Sequence, residues 1–124
     1  MEIGKKILVI EDEESITRLF KKVLNLEDYN VLTADNGLKG IDTYKSNLDI
    51  KKVFCDTDVG AGMDGMETTA RLRKIADENN RVLDITLMSG RIIEKPDYVD
   101  EFLQKPIMLE QIYKSAGRPY KKGK

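Results

Sequence analysis

The run Ile7-Leu8-Val9-Ile10, followed at once by Glu11-Asp12-Glu13-Glu14, constrains the fold more than any other feature of the sequence. Consecutive aliphatic residues, mostly β-branched, leave no polar face for water, so the run reads as a strand buried on both sides. Such a strand belongs in a parallel sheet covered by helices. From Ser15 the apolar period changes: Ile16, Leu19, Phe20, Val23 and Leu24 recur at three- and four-residue steps, with Arg18, Lys21 and Lys22 on the other face. That pattern is an amphipathic helix, with Glu13 and Glu14 at its start, where the helix dipole favours negative charge.

The alternation of types continues along the chain. Val31 to Ala34 reads as a strand, Asn36-Gly37 as a turn, and Leu38, Ile41, Tyr44 and Leu48 as a helix face. Val53, Phe54 and Cys55 make a third strand ending at Asp56; a loop through Gly60, Gly62 and Gly65 then leads to a helix from Met66 to about Asn79. Ile85 to Met88 and Phe102 to Gln104 are the remaining strands, and Leu109, Ile112, Tyr113 and Ala116 form a last helix face before Gly117 and Pro119. Five strands alternating with about five helices predict an α/β fold with an open, doubly wound parallel sheet and right-handed crossovers. The fourth crossover is the irregular one. Only Ile92 to Asp100 remain for it, and Pro96 disfavours helical geometry at Lys95, although it could open one turn through Asp97, Tyr98 and Val99. A short or irregular fourth helix is expected.

A chain of 124 residues has room for one core, expected over about 5–116, with a basic tail over about 117–124. At 40% hydrophobic it is too apolar for a disordered segment, and 21 basic against 22 acidic side chains leave a charge of -1. No overall field attracts nucleic acid or a membrane, and the tail (Lys114, Arg118, Lys121, Lys122 and Lys124) reads as solvated. The absence of histidine excludes Ser-His-Asp and Cys-His catalysis and a His/Cys zinc site. Cys55 alone can form no intramolecular disulfide, which suits a reducing cytoplasm, and no aliphatic run reaches the length of a signal peptide or membrane span. Cys55 itself reads as a small core residue on a buried strand rather than a redox group.

In sheets of this kind ligands bind beyond the carboxyl ends of the strands, where the strand order reverses. The residues following the strands are Glu11 and Asp12, then Asp56, Ser89 and Lys105. Three carboxylates brought together repel one another unless a cation joins them, and a hard divalent ion such as Mg2+ takes one or two carboxylates plus water and a phosphoryl oxygen. A lysine and a hydroxyl alongside can stabilise charge on a transferring phosphoryl group, with one carboxylate as nucleophile.

Read together, Lys6-Ile-Leu-Val-Ile-Glu-Asp-Glu13, Val53-Phe-Cys-Asp56 with Met63-Asp-Gly65, Leu87-Met-Ser-Gly90 and Phe102-Leu-Gln-Lys-Pro106 resemble the receiver domain of two-component response regulators. Each segment alone is a weak signal; in this order, each at a strand end, they are a strong one. The resemblance implies a flavodoxin-like sheet of order 2-1-3-4-5. It implies that Asp56 accepts a phosphoryl group from a phosphohistidine on a sensor histidine kinase or histidine phosphotransfer protein, with Mg2+ or Mn2+ as cofactor. Asp12 and Asp56 would bind the metal directly, Glu11 mainly through water, and Asp58 through its backbone carbonyl. Ser89 and Lys105 would hold phosphoryl oxygens, and Phe102 would be the aromatic switch, the lesser alternative being that it is simply core, as aromatics beside strands usually are. The output would be contact with a downstream protein, from a cytoplasmic single-domain regulator that is not an enzyme beyond its own phosphorylation and dephosphorylation. Two departures stand out: Glu11 occupies a position where aspartate is commoner, and the loop from Asp56 to Gly65 is one residue longer than usual.

The main rival is a phosphatase of the haloacid-dehalogenase type, because Phe54-Cys55-Asp56-Thr57-Asp58-Val59 also resembles that nucleophile motif, with Asp58 as general acid. That family needs an acidic pair on a strand after its lysine, whereas here only Glu110 follows Lys105. A flavin site fits poorly, since the acids after the first strand would repel a flavin phosphate.

Overall fold

The computed structural model describes residues 5–60 and 62–118. The expected tail residues Lys121, Lys122 and Lys124, like Ala61 of the glycine loop, lie outside the described residues. The elements run β1 (Lys6–Ile10), α1 (Glu14–Asn25), β2 (Asn30–Ala34), α2 (Gly37–Ser46), β3 (Lys52–Asp56), α3 (Gly65–Glu78), β4 (Asp84–Ser89), β5 (Glu101–Gln104) and α4 (Leu109–Ala116). All strand pairs are parallel, in the order β2-β1-β3-β4-β5.

Because side chains alternate across a strand, the central strands feed two separate cores. Leu8, Ile10, Val53, Cys55, Ile85 and Leu87 pack with Ile41 and Tyr44 of α2 and Leu72 and Ala76 of α3. Ile7, Val9, Phe54 and Met88 pack with Phe20, Val23 and Leu24 of α1 and Ile112 and Ala116 of α4. Phe20 meets Phe54 edge to face, with ring centroids 5.0 Å apart. The helix faces are narrower than the periodicity implies. Leu19, Leu38, Leu109 and Tyr113 are exposed, and Leu48 lies beyond the end of α2, where it still packs on the core.

The fourth crossover departs further from the general pattern than a shortened helix would. Among the described residues there are four helices, and residues 90–100 hold a single turn, closed by Val99 N–H donating to Pro96 O at 3.1 Å. Pro96 opens that turn and nothing follows it, since β5 begins at Glu101. Side chains supply the coverage a helix would give. Ile93, Tyr98 and Val99 pack on the α2/α3 core, and Arg73 of α3 donates to Tyr98 O at 3.1 Å and Asp100 Oδ2 at 2.6 Å. Asp100 Oδ2 also accepts from Ile85 N–H at 2.7 Å, and Tyr98 Oη donates to Met66 O at 3.1 Å.

A charged cluster lies buried at the amino-terminal end of the sheet. Lys52, wholly buried, donates to Asp84 Oδ2 at 2.5 Å and Thr86 Oγ1 at 2.6 Å, and its Nζ stands 3.9 Å from Glu101 Oε1 and 4.9 Å from the centre of the Phe54 ring. Ser115 of α4 donates to Glu101, and Arg118 Nε lies 3.4 Å from Asp84 Oδ2. Burial pulls the Lys52 ammonium below its ordinary value, and the Asp84 carboxylate opposes that pull.

Two outcomes follow from this packing. Amide exchange should be fast from Ile92 to Lys95 and markedly slower at Val99 and Asp100, whose N–H groups donate to Pro96 O and Ile85 O; uniform protection across the segment would reveal a helix there. Asp84→Ala should cost about 3 kcal/mol in urea unfolding by leaving the Lys52 ammonium poorly compensated, and Lys52→Met with Asp84→Leu should recover most of it. A loss below about 1 kcal/mol would mean that Lys52 is neutral or hydrated when Asp84 is absent.

Candidate functional site

The parallel ladder runs past the strand ends, and that extension fixes the backbone of the site. Glu11 N–H donates to Ala34 O at 3.0 Å, Thr57 N–H to Met88 O at 2.8 Å, and Lys105 N–H to Ser89 O at 2.8 Å. Every strand points the same way, so Glu11, Asp56, Ser89 and Lys105 reach one edge of the sheet. The loop after Asp56 turns through Gly60 and Gly62, both at positive φ, and closes where Gly65 N–H donates to Thr57 O at 2.8 Å. Gly65 admits no side chain: a Cβ there would lie 2.1 Å from Asp56 O. Asp64 caps α3 by accepting from Glu67 N–H at 2.8 Å, which orients the helix that braces this loop.

Glu11, Asp12 and Asp56 each present a carboxylate oxygen within 4.8 Å of the others. Glu11 and Asp56 are buried and Asp12 is exposed at the mouth. Lys105 Nζ stands 3.0 Å from both Glu11 Oε2 and Asp56 Oδ2. Burial and the Asp56 charge push Glu11 from 4.5 to about 7, against the bond and charge of Lys105. Burial would lower Lys105, but its bonds to Asp56 and Glu11 outweigh this and hold the ammonium above its ordinary value. With all groups ionised, three carboxylates and one ammonium leave two negative charges, the complement of a divalent cation. An open cleft of about 560 Å³ adjoins the cluster between α1 and α2, lined by Glu11 and Asp12 but not by Asp56.

Ser89 is fully buried, and its Oγ accepts from Thr57 Oγ1 at 3.0 Å and from Arg91 N–H at 3.1 Å. The Asp58 carboxylate points away from the cluster: it is 73% exposed and pairs with Arg91 at 3.5 Å, so no side-chain role at the acidic centre is open to it. Phe102 is half-buried against the α2/α3 core. Cys55 is buried, and burial with the nearby Asp56 charge pushes its thiol far up, out of the reactive range. Sequence reasoning passed over Thr57, although Thr57 follows Asp56 as Ser89 follows Met88, and the register of those two strands pairs Asp56 with Met88.

A family model for the response regulator receiver domain matches residues 7–116. The chain belongs to that family. It is 38% identical over 85 residues to sporulation initiation phosphotransferase F of Bacillus subtilis, covering 68% of this chain and 65% of the relative. It is 25% identical over 140 residues to histidine kinase 3 of Arabidopsis thaliana, covering 94% of this chain and 13% of that relative. The receiver thus spans less than two thirds of either relative's length. Among solved structures, the response regulator TrrA of Thermotoga maritima, in complex with Mg(2+)-BeF, superposes with a TM-score of 0.77 at 26% identity, covering 90% of this chain and 96% of that one. The haloacid-dehalogenase alternative finds no support: the acidic pair Glu11 and Asp12 follows β1, upstream of the Asp56 strand, and the family model that matches is the receiver's. Among the described residues no helix is long and apolar enough to cross a membrane.

The raised Glu11 carboxyl makes this site sensitive to pH. The metal-free folded state binds more protons than the unfolded chain between about 4.5 and about 7, so Glu11 lowers stability as pH rises through that window. A cation that needs Glu11 ionised must compete with its proton below about 7. The apparent Mg2+ affinity of the receiver, followed by calorimetry, should therefore rise about tenfold from pH 6 to pH 8. Glu11→Gln should flatten the profile; a flat wild-type profile would show that Glu11 is ionised throughout.

Proposed function

We propose that the receiver is a phosphoacceptor in which Asp56 takes a phosphoryl group from the phosphohistidine of a sensor histidine kinase or histidine phosphotransfer protein. The observation that carries this reading is the Asp56 carboxylate, 4% exposed, at 3.0 Å from Lys105 Nζ and within 4.8 Å of the Glu11 and Asp12 oxygens. An Asp56 oxygen forms a bond to phosphorus as the N–P bond of the donor breaks; the electron pair stays on the imidazole nitrogen, which takes up a proton. The phosphotransferase and the Mg(2+)-BeF complex among the relatives support the same chemistry.

Asp12, Asp56, Glu11 and the Asp58 carbonyl would hold Mg2+ or Mn2+, and the donor set fits, being all oxygen and carrying the complementary charge. The ion supplies positive charge beside the phosphoryl oxygens. Lys105 leaves its Glu11 partner to neutralise a phosphoryl oxygen, and Ser89 donates its hydroxyl proton to another. Phe102, half-buried at the start of β5, turns inward as Ser89 moves. Hydrolysis of the acyl phosphate by water restores Asp56. The unit spans about 5–116 and works in the cytoplasm by changing its contacts with a partner protein; its near-neutral balance of 21 basic and 22 acidic residues gives no general attraction to nucleic acid or membranes.

Acetyl phosphate with Mg2+, or a phosphorylated kinase, should give one alkali-labile phosphoryl group that maps to Asp56 by peptide mass spectrometry. Asp56→Asn should abolish it and Asp58→Asn should leave it on Asp56. Undiminished labelling of Asp56→Asn, or a label on Asp58, would overturn the assignment.

A further inference from the structure

The buried hydroxyl pair at the ends of β3 and β4 adds a residue to this chemistry. Thr57 and Ser89 are 3% and 0% exposed, and their oxygens are 3.0 Å apart. The ladder sets that contact: Asp56 pairs with Met88, and Thr57 N–H donates to Met88 O at 2.8 Å, so the next residues on the two strands face each other. A serine hydroxyl has one proton and two acceptor positions. Arg91 N–H, which can only donate, fills one acceptor position at 3.1 Å. Thr57 fills the second when its proton points at Ser89, and the Ser89 proton is then left without a partner in the pair.

A bare hydroxyl pair can run in either direction. Were Ser89 to donate to Thr57, no proton would remain for an oxyanion on Asp56. The other acceptor within reach of the Thr57 proton, Asp58 Oδ2, is 3.5 Å away, at the limit of a hydrogen bond, so the 3.0 Å contact with Ser89 is the stronger one. A phosphoryl oxygen only accepts, so its arrival selects the direction in which Thr57 donates to Ser89 and Ser89 donates outward. We infer that Thr57 is a positioning residue for phosphoryl transfer, which together with Arg91 N–H saturates the acceptor sites of Ser89 Oγ and aims its single proton at the phosphoryl group. This rests on Asp56 as the acceptor and Ser89 as a phosphoryl donor of hydrogen bonds, and Thr57 touches neither phosphorus nor metal.

The test compares wild type, Thr57→Val, Thr57→Ser, Ser89→Ala and Thr57→Val/Ser89→Ala. Two readouts are used: the rate of labelling by acetyl phosphate with Mg2+, and the equilibrium affinity for beryllium fluoride with Mg2+, whose fluorines stand in for phosphoryl oxygens. Thr57→Val, which keeps the shape and removes the donor, should lower both by about three- to tenfold, the worth of one net hydrogen bond. Thr57→Ser should restore both to within about twofold, and Thr57→Val should cost less than about twofold in the Ser89→Ala background. Thermal unfolding of each variant confirms that folded protein is compared. An unchanged Thr57→Val, or an equal loss with and without Ser89, would overturn the inference while wild-type labelling at Asp56 keeps the acceptor assignment intact. Absence of any wild-type labelling or beryllium fluoride binding would remove that assignment and this inference with it.

Discussion

Lys105 Nζ lies midway in a charge problem, 3.0 Å from an oxygen of Glu11 and 3.0 Å from one of Asp56. Without that ammonium, two buried carboxylates would face each other at the end of a sheet whose three central strands are almost wholly buried. Folding this chain brings the repulsion into being, since the residues are far apart in sequence and converge only when β1, β3 and β5 run parallel. The fold therefore tolerates its own site because the last strand ends in a cation. That tolerance is incomplete, as burial and the Asp56 charge still raise the Glu11 carboxyl, and with all groups ionised the residual negative charge matches that of a divalent ion.

The precision of the edge comes from the backbone. Each of the bonds from Glu11, Thr57 and Lys105 N–H continues a ladder beyond its last regular pair, so the site residues are held by the sheet and not by loop packing. Gly65 then brings α3 against the Asp56 carbonyl at a distance no other residue allows, which fixes the backbone on either side of the glycine loop. The loop turns at Gly60 and Gly62, whose positive φ glycine adopts without steric cost.

The strands, and the placement of Glu11, Asp12, Asp56, Ser89 and Lys105 at their ends, were legible from period and from position along the chain, both local properties, whereas the strand order followed only from the resemblance to receiver domains. What escaped was pairwise. Lys52 reads as one more lysine after Lys51, yet it shares a face with Phe54 and meets Asp84 across the β3–β4 register, which a single strand cannot disclose. Thr57 escaped for the same reason, since a threonine after an aspartate means little until the neighbouring strand supplies Ser89. Leu38 and Leu109 misled in the opposite direction: the period fits a helix face, but the helix sits so that only part of that face is covered.

The missing fourth helix shows how far polar side chains can replace a secondary element. A helix in that crossover would satisfy its own backbone and lay an apolar stripe on the sheet. Here Asp100 accepts from Ile85 N–H and from Arg73, while Arg73 also satisfies Tyr98 O, so one ion pair anchored in α3 does the backbone accounting for the end of the crossover. Tyr98 meanwhile reaches Met66 O in the first turn of α3, just past Gly65. The crossover begins at the residue after Ser89 and rests on the helix that closes the Asp56 loop. Both sides of the candidate site thus lean on one segment, and because that segment has only a single backbone turn of its own, its geometry is set by those side-chain attachments rather than by helical cooperativity.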